Sequence, residues 1–483
     1  IGDYDVDGCI STSIFAYFLR KNKASYNYYI PDRFKDGYGV SLKLIKELIK
    51  KENPKLVVML DCGSTSNDSI NYLNQNNIES LIIDHHNINE PYPKSNALIN
   101  PKKECNYKNF DYLCAASLTY FFLDYYIRKL NLSISIKYYE IYVLMASICD
   151  VMPLRNFNRY FAIKTLHKFD YNKDPILKNF FSILKLKRKL TVDDLAYYIG
   201  PIINSAGRIA NANIVVELLT SSDNKIQQKI IKNLYQLNEK RKKIEEEFLK
   251  KINLDNLVRD KGVIFISNKY ISEGIVGIIA SRIKDYTNRP CIILSKKGQI
   301  LKGSARSTFN FNIGEYISQA LQKKILLSGG GHNLAAGVIL NQNKLELFKE
   351  YLNNIYNNKV RSNLNFYIAK ISSNSLNHKL FNEISKLAPF GHKNNNPLFL
   401  IDNVKIVKTS ILKDKYILCY IKTNNGKMMR VISFHPLNSD ISLNLLNYKR
   451  TLKIILKLNI NNWNNKKVLQ IQIIDLIINS NKA

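Results

Sequence analysis

Asp3, Asp5 and Asp7 stand at alternate positions of the string Asp3-Tyr4-Asp5-Val6-Asp7-Gly8. Acids spaced by two at the tip of a strand project to one side, and the carboxyl edge of a parallel sheet is where α/β proteins build sites. Calcium loops share this spacing, but position twelve of such a loop would be Ile14 rather than a glutamate, and no helix-loop-helix pattern surrounds it. Two later apolar runs also end on acids: Val57 to Leu60 leads into Asp61, and Leu81 to Ile83 leads into Asp84-His85-His86. A fourth acid, Asp150, follows the apolar run Ile141 to Ile148 and opens Asp150-Val151-Met152-Pro153-Leu154. Carboxylate oxygens with one or two imidazoles suit Mn²⁺ or Mg²⁺ better than zinc. Several carboxylates in one cleft repel each other unless cations neutralise them, so the set implies two divalent cations, about 3.5–4 Å apart, able to bind a phosphate and activate water. The implied chemistry is phosphoester hydrolysis.

The elements that must position these residues follow from periodicity. Ala24 to Ile30, Leu56 to Leu60 and Ser80 to Ile83 read as strands, and Thr12 to Lys21 and Leu42 to Lys51 as helices. Such alternation implies a parallel, helix-covered sheet. Cys114 to Asp150 is apolar with helical periodicity. From Asp223 to about Asn253 runs a charge-rich helix with opposite charges at i,i+4, the pattern of a solvated connector between domains. Gly262 to Ser267 and Cys291 to Ser295 read as strands around a helix at Gly274 to Tyr286, the start of a second α/β unit. The runs Tyr416 to Thr423, Met428 to Phe434 and Leu452 to Leu458 read as a small β-barrel. Tyr416, Tyr420 and Phe434 in these runs are expected chiefly as barrel core, with base stacking as the alternative.

With 483 residues, 46% hydrophobic and 23% charged, the composition is that of a folded protein of several domains. Its apolar stretches are too short to span a membrane. The seven cysteines contain no CxxC pair, which argues against a disulfide framework or zinc site and for a reducing compartment, the cytoplasm. The chain opens at Ile1 inside a motif, so a preceding segment with its strand is expected. Lys and Arg number 71 against 39 acids, a formal charge of +32 that favours a polyanionic partner. Compositional bias toward Lys, Asn, Ile and Tyr would also produce it, so the charge argues for nucleic acid only together with the motifs.

Taken together, the motifs resemble those of the DHH/DHHA1 phosphoesterase family, and within it the RecJ-type exonucleases specific for single-stranded DNA. Asp84-His85-His86 matches the motif that names the family, Asp3, Asp5 and Asp7 its first motif, Asp61 its second and Asp150 its fourth. The resemblance implies metal ligation by Asp5, Asp7, Asp61, His85 and Asp150 with Asp3 beside them, and catalytic roles for His86, at the scissile phosphate, and Asp84. Gly200 to Arg208 is similar to the family's GPRINAAGR segment, with Ile202 in place of an arginine and Arg208 retained. Gly303 to Ser307 and Gly330-Gly331-His332 to Gly337 match the DHHA1 domain. There glycines at a turn would offer N–H groups to a phosphate and Arg306 would grip it, a role sound on physical grounds too. The resemblance extends nucleic-acid contact to Arg33, Arg208, Ser304, Arg306, Gly330, Gly331 and His332. Leu387 to Pro397 is similar to the entry of the family's OB-fold, although Lys393 and Asn395 replace the usual Gly and Pro.

The expected fold is α/β: a parallel-sheet DHH domain at 1–222, a connector helix at 223–255, a second α/β, DHHA1-like domain at 256–358, and a linker with an OB-like β-barrel at 359–483. The expected function is a metal-dependent 5′→3′ exonuclease of DNA repair and recombination, acting on single-stranded DNA held in a basic cleft between the first two domains. Family resemblance adds single-strand-binding protein and a helicase as partners, and a monomeric, cytoplasmic state is expected. Two other readings stay open: a DHH phosphoesterase on short oligonucleotides or cyclic dinucleotides, and an inactive DHH scaffold that binds DNA.

Overall fold

Six elements make up the N-terminal segment, strands interspersed with helices: α1 (Val6–Lys21), α2 (Leu42–Glu52), β1 (Leu56–Leu60), α3 (Asn67–Gln75), β2 (Glu79–Ile83) and β3 (Ala97–Ile99). The computed structural model describes the chain except residues 38, 104–108, 253, 260–261, 358–365, 438, 448–450, 464–465 and 478–483. The start of the expected linker at 359 therefore lies outside the described residues. Two compact units emerge: Ile1–Ile244 with Pro389–Asn395, and Glu245–Ala388 with Asn396–Ala483.

In the first unit β1, β2 and β3 form a parallel sheet in that order. Its register is the feature that matters. Leu60 pairs with Ile83 and Ile83 with Ile99, while Gly2 bridges Leu60 in parallel on the other side. The next residue of each segment therefore lies on one line at the carboxyl edge: Asp3, Asp61, Asp84 and Asn100. The expected strand at Ala24 to Ile30 does not form. Gly2 N nevertheless donates to Tyr29 O at 3.1 Å.

Helices α4 (Ala115–Lys129), α5 (Glu140–Cys149), α6 (Asn156–Lys168), α7 (Pro175–Ile183), α8 (Gly200–Ile209) and α9 (Asn213–Thr220) complete this unit, with a π-helical turn at Asp194–Ile199. Ile141 to Ser147 of α5 are all buried, as a helix apolar on every side must be. The core joins Ile10 and Ile14 of α1 to Tyr139, Tyr142 and Phe180. Helix α10 (Asn224–Lys250) is the expected charged helix, and the division between the units falls within it.

The second unit contains α11 (Leu254–Arg259), β4 (Ile264–Asn268), α12 (Val276–Thr287), β5 (Cys291–Lys297), β6 (Ile300–Arg306), α13 (Ile313–Gln322), β7 (Ser328–His332), β8 (Ala335–Asn341) and α14 (Leu345–Asn357). Its first sheet runs β4-β5-β6-β8-β7, with β4 and β5 parallel and the remaining pairs antiparallel. After β9 (Ala369–Lys370) and α15 (His378–Ser385) come β10 (Phe399–Leu412), β11 (Tyr416–Lys422), β12 (Met428–Ser433), α16 (Asp440–Leu446), β13 (Leu452–Trp463) and β14 (Lys466–Ile477). The pairing β11-β12-β14-β13-β10, closed by β10 on β11, makes the OB-type barrel. Tyr420 and Phe434 are exposed, against the expectation of core, and Tyr416 is half-buried with its ring edge-on to Phe434. The pleat accounts for the tyrosines: Ile417, Cys419 and Ile421 take the inward positions of β11, which leaves Tyr416 and Tyr420 on the opposite face.

Candidate metal centre

Three carboxylates converge on one imidazole nitrogen. His85 Nε2 lies 3.3 Å from Asp61 Oδ1, 3.4 Å from Asp150 Oδ2 and 3.7 Å from Asp7 Oδ2. Asp3, Asp5 and Asp61 form an adjoining group, and Asp61 also groups with His85 and His86. Every residue expected to hold metal is thus in one of these groups, and the acids come from separate parts of the chain.

The first motif does not work by strand alternation, as the sequence implied. Asp5 is the N-cap of α1, its Oδ1 accepting from Asp7 N at 2.9 Å and Gly8 N at 3.1 Å, and Asp7 lies in that helix's first turn. The turn is tight enough that a Cβ on Gly8 would meet the Asp3 backbone at 2.4–2.6 Å. Asp7 is then fixed from across the fold, where Ala115 N and Ala116 N at the start of α4 donate to its two oxygens at 2.8 Å each. A helix N-terminus favours a carboxylate there. Asp61 takes φ +61°, a left-handed conformation that non-glycine residues seldom adopt outside functional or turn positions.

Asp84 does not point to the cluster but organises its edge. It accepts from His85 N (2.7 Å), His86 N (3.2 Å) and Ser64 N (3.1 Å), and pairs with His86 Nδ1 at 2.8 Å. Burial would raise its carboxyl, but the His86 hydrogen bond and charge outweigh it and hold it below the usual carboxylate range. Burial likewise disfavours the His86 cation, yet Asp84 pushes its pKa up to about 9. The clustered acids shift the other way: burial, then the neighbouring Asp5, raises Asp3 to about 7 and Asp7 to about 6. Asp61 and Asp150 are likewise raised well above the usual carboxylate range, through burial and then the charges of Asp7 and Asp5.

Two buried atoms test whether divalent cations fit. Asp61 Oδ1 and Asp150 Oδ2 accept no hydrogen bond among the described residues. Buried carboxylate oxygens left bare are unfavourable unless a cation meets them, and hard oxygens with imidazole are the donor set of Mn²⁺ or Mg²⁺. The residues present fit such ions.

Sequence reasoning missed several supports. Asn100 follows β3 as Asp84 follows β2, and its amide donates to Ser64 Oγ (2.8 Å) and His86 O (3.0 Å). Equal placement after successive strands was the signal that could have found it. Lys102, next but one, is half-buried, and the charges of Asp150 and Asp84 offset part of the lowering that burial imposes on its ammonium. Asn204 Oδ1 of α8 accepts from Val6 N at 3.1 Å.

The remaining expected residues divide by unit. Arg33 and Arg208 belong to the first unit, and Arg208 lies near Tyr4. Ile202 is 1% exposed and packs in the core, so this position makes no surface contact. In the second unit Arg306 Nη1 donates to Ser304 Oγ at 2.6 Å and Ala305 O at 2.8 Å. Gly330, Gly331 and His332 lie in edge strand β7, not in a turn, because Gly330 pairs with Gly337 and His332 with Ala335 of β8.

Helix α8 can approach the metal loop only at a glycine, since a Cβ on Gly207 would stand 2.2 Å from Tyr4 O. Gly207→Ala is expected to destabilise by about 1–3 kcal/mol through overpacking, outweighing the gain of about 1 kcal/mol that alanine brings to an open helix site. Urea denaturation measures the sign; an increase in stability would contradict the close packing.

Known proteins agree with this architecture. The family model of the DHH family, N-terminal domain, matches residues 1–147, that of the DHHA1 domain 260–358 and that of the RecJ OB domain 369–475. The single-stranded-DNA-specific exonuclease RecJ of Bacillus subtilis is 27% identical over 99% of this chain and 61% of its own length, so the chain spans about three-fifths of that relative. Its Escherichia coli counterpart is 27% identical over 99% of this chain and 86% of its own length. Among solved structures, RecJ from Thermus thermophilus in complex with Mn²⁺ is similar with a TM-score of 0.81 at 23% identity, covering 99% of this chain and 68% of that one. An exonuclease RecJ bound to manganese gives a TM-score of 0.62 at 26% identity, covering 74% and 89%.

Proposed function

We propose that this chain, which matches the models of the DHH family N-terminal domain, the DHHA1 domain and the RecJ OB domain, is a DHH/DHHA1 phosphoesterase of the RecJ type, a 5′→3′ exonuclease hydrolysing phosphodiester bonds of single-stranded DNA with two divalent cations, Mn²⁺ or Mg²⁺. The observation that carries the reading is the meeting of Asp7, Asp61 and Asp150 at His85 Nε2, with Asp61 Oδ1 and Asp150 Oδ2 buried and accepting no hydrogen bond among the described residues. When bound, such cations supply positive charge to the scissile phosphate and make a nearby water acidic enough to attack it.

The chain's own residues hold the geometry for this. Asp5, Asp7, Asp61, His85 and Asp150 are the proposed ligands, with Asp3 beside them. Asp7 cannot swing, because two backbone N–H groups of α4 hold both its oxygens. Asp84 orients His86 through Nδ1, and the other ring nitrogen is the one proposed to meet the phosphate. Arg33, Arg208, Ser304, Arg306, Gly330, Gly331 and His332 are proposed contacts to the strand. The domain limits 1–222, 223–255, 256–358 and 359–483, partnership with single-strand-binding protein and a helicase, a monomeric state and a cytoplasmic location form part of the same proposal. Among the described residues no helix is long and apolar enough to cross a membrane.

Incubating the full chain with end-labelled single- and double-stranded oligonucleotides and Mn²⁺ or Mg²⁺ tests the reading. Mononucleotides released from the 5′ end of single strands alone are expected. Hydrolysis confined to short oligonucleotides or cyclic dinucleotides, or binding without hydrolysis, would contradict it. Within the site, His86→Ala should lower turnover while leaving Mn²⁺ affinity near that of the parent, whereas His85→Ala should weaken Mn²⁺ by about tenfold or more, as loss of a group that binds or orients a metal does. Equal Mn²⁺ affinities in the two variants, read by calorimetry, would overturn this division.

A further inference from the structure

Arg33 sits on a loop built to keep it still. Before it, Ile30 N donates to Asn213 Oδ1 at 3.0 Å. Asp32 Oδ1 accepts from Phe34 N and Lys35 N at 2.8 and 3.2 Å, and Asp36 N closes the loop onto Asp32 O at 2.8 Å. Asp36 Oδ2 in turn accepts from Asp32 N and from the Tyr29 hydroxyl, both at 2.8 Å. The bonds of Asp32 and Asp36 to backbone N–H groups are local side-chain to backbone closures of the kind that set a turn without help from a sheet.

The guanidinium presented by this loop lies over an aromatic ring. Arg33 Cζ is 4.1 Å from the ring centroid of Tyr4, well inside the range of cation–π attraction. Arg33 Nε is buried and donates no hydrogen bond among the described residues. Burying a donor without an acceptor is unfavourable, so the arrangement suits an acceptor that arrives with the ligand. A planar guanidinium recognises phosphate oxygens well, and stacking on a ring fixes its plane before binding.

Tyr4 is itself clamped to the metal loop. Its N donates to Asp3 Oδ1 at 2.8 Å, and α8 approaches its carbonyl closely at Gly207. The Tyr4 backbone that carries the ring is therefore fixed to the carboxylate loop. We propose that Tyr4 is a positioning residue: its ring fixes the Arg33 guanidinium against a phosphate of the bound single strand, and so sets where that phosphate stands relative to Asp3, Asp5 and Asp7. The inference rests on the single-stranded substrate proposed above. The phenol hydroxyl has no part in it; the ring face does the work.

Affinity of the full chain for a fluorescent single-stranded oligonucleotide, measured in EDTA at several salt concentrations, tests this without turnover. Arg33→Ala and Tyr4→Leu are each expected to weaken binding about five- to tenfold, and Tyr4→Phe to stay within about twofold. The log–log salt slope should become shallower by about 0.7 in both damaging variants, one phosphate contact for a single strand. The Tyr4→Leu/Arg33→Ala double variant should bind no more weakly than Arg33→Ala alone, because one residue acts through the other. Mn²⁺ affinity of Tyr4→Leu should stay near the parent's. Wild-type DNA affinity in Tyr4→Leu, losses that multiply in the double variant, a Tyr4→Phe loss as large as that of Tyr4→Leu, or a collapse of its Mn²⁺ affinity would each overturn the assignment. Coupled losses in a protein without nuclease activity would refute hydrolysis and leave the Tyr4 role standing; hydrolysis with independent losses would do the reverse.

Discussion

Replacing Asp61 or Asp150 by alanine should reduce hydrolysis by about a hundredfold to a thousandfold or more, while near-UV circular dichroism stays that of the parent. Both side chains face a polar cluster rather than the apolar core, and each contributes a buried oxygen that accepts no hydrogen bond among the described residues and lies 3.3 or 3.4 Å from His85 Nε2. Neither oxygen holds up the fold through a hydrogen bond, so the loss should fall on cation binding. The companion observation is thermal: Mn²⁺ should raise the melting temperature of the parent, since a ligand that binds the native state stabilises it, and much less that of either variant. Turnover near the parent's in either variant, with Mn²⁺ supplied, would remove these two acids from the site.

The second large effect concerns the net charge of +32. If lysines and arginines track the strand, six phosphate contacts give a log–log slope of about −4, and affinity for single-stranded DNA should fall roughly 300-fold between 50 and 200 mM salt. A nearly flat dependence would return the lysines to compositional bias. Arg306→Ala should act differently, weakening 5′-phosphorylated strands more than 5′-hydroxyl ones. Its guanidinium is oriented by Ser304 Oγ and Ala305 O, and a side chain at Gly277 would crowd it, with the Cβ 2.9 Å from Nη2. A directed guanidinium grips a single phosphate bidentately and adds little elsewhere. A loss independent of the 5′ group would exclude end recognition by Arg306.

Much of the metal site was legible because strands announce their tips. Val57 to Leu60 and Leu81 to Ile83 are apolar runs that stop at acids, and the parallel register brings Asp61 and Asp84 side by side. The family motif then assigned the histidines. What the sequence hid was contact at long range: that Asp7 is held by Ala115 and Ala116, or Val6 by Asn204, depends on how α4 and α8 pack, which no local pattern encodes. Alternation misled at Asp3, Asp5 and Asp7, since a period of two was read as a strand where an N-cap and a first helical turn stand. It misleads again in the barrel, where Ile417, Cys419 and Ile421 fill the inward face of β11 and leave Tyr420 outside the core. The triple glycine lies in β7 rather than in a turn, since Gly329, Gly330 and Gly331 pair with Val338, Gly337 and Ala336 of β8.

The central claim is that this cluster of acids and imidazole exists to hold two divalent cations. Anomalous scattering at the manganese edge from crystals grown with Mn²⁺ tests it directly. Two manganese peaks among Asp7, Asp61, His85 and Asp150, with at least one lost in Asp61→Ala, are the expected result. Crystals with no manganese peak in contact with these residues at millimolar Mn²⁺ would contradict it.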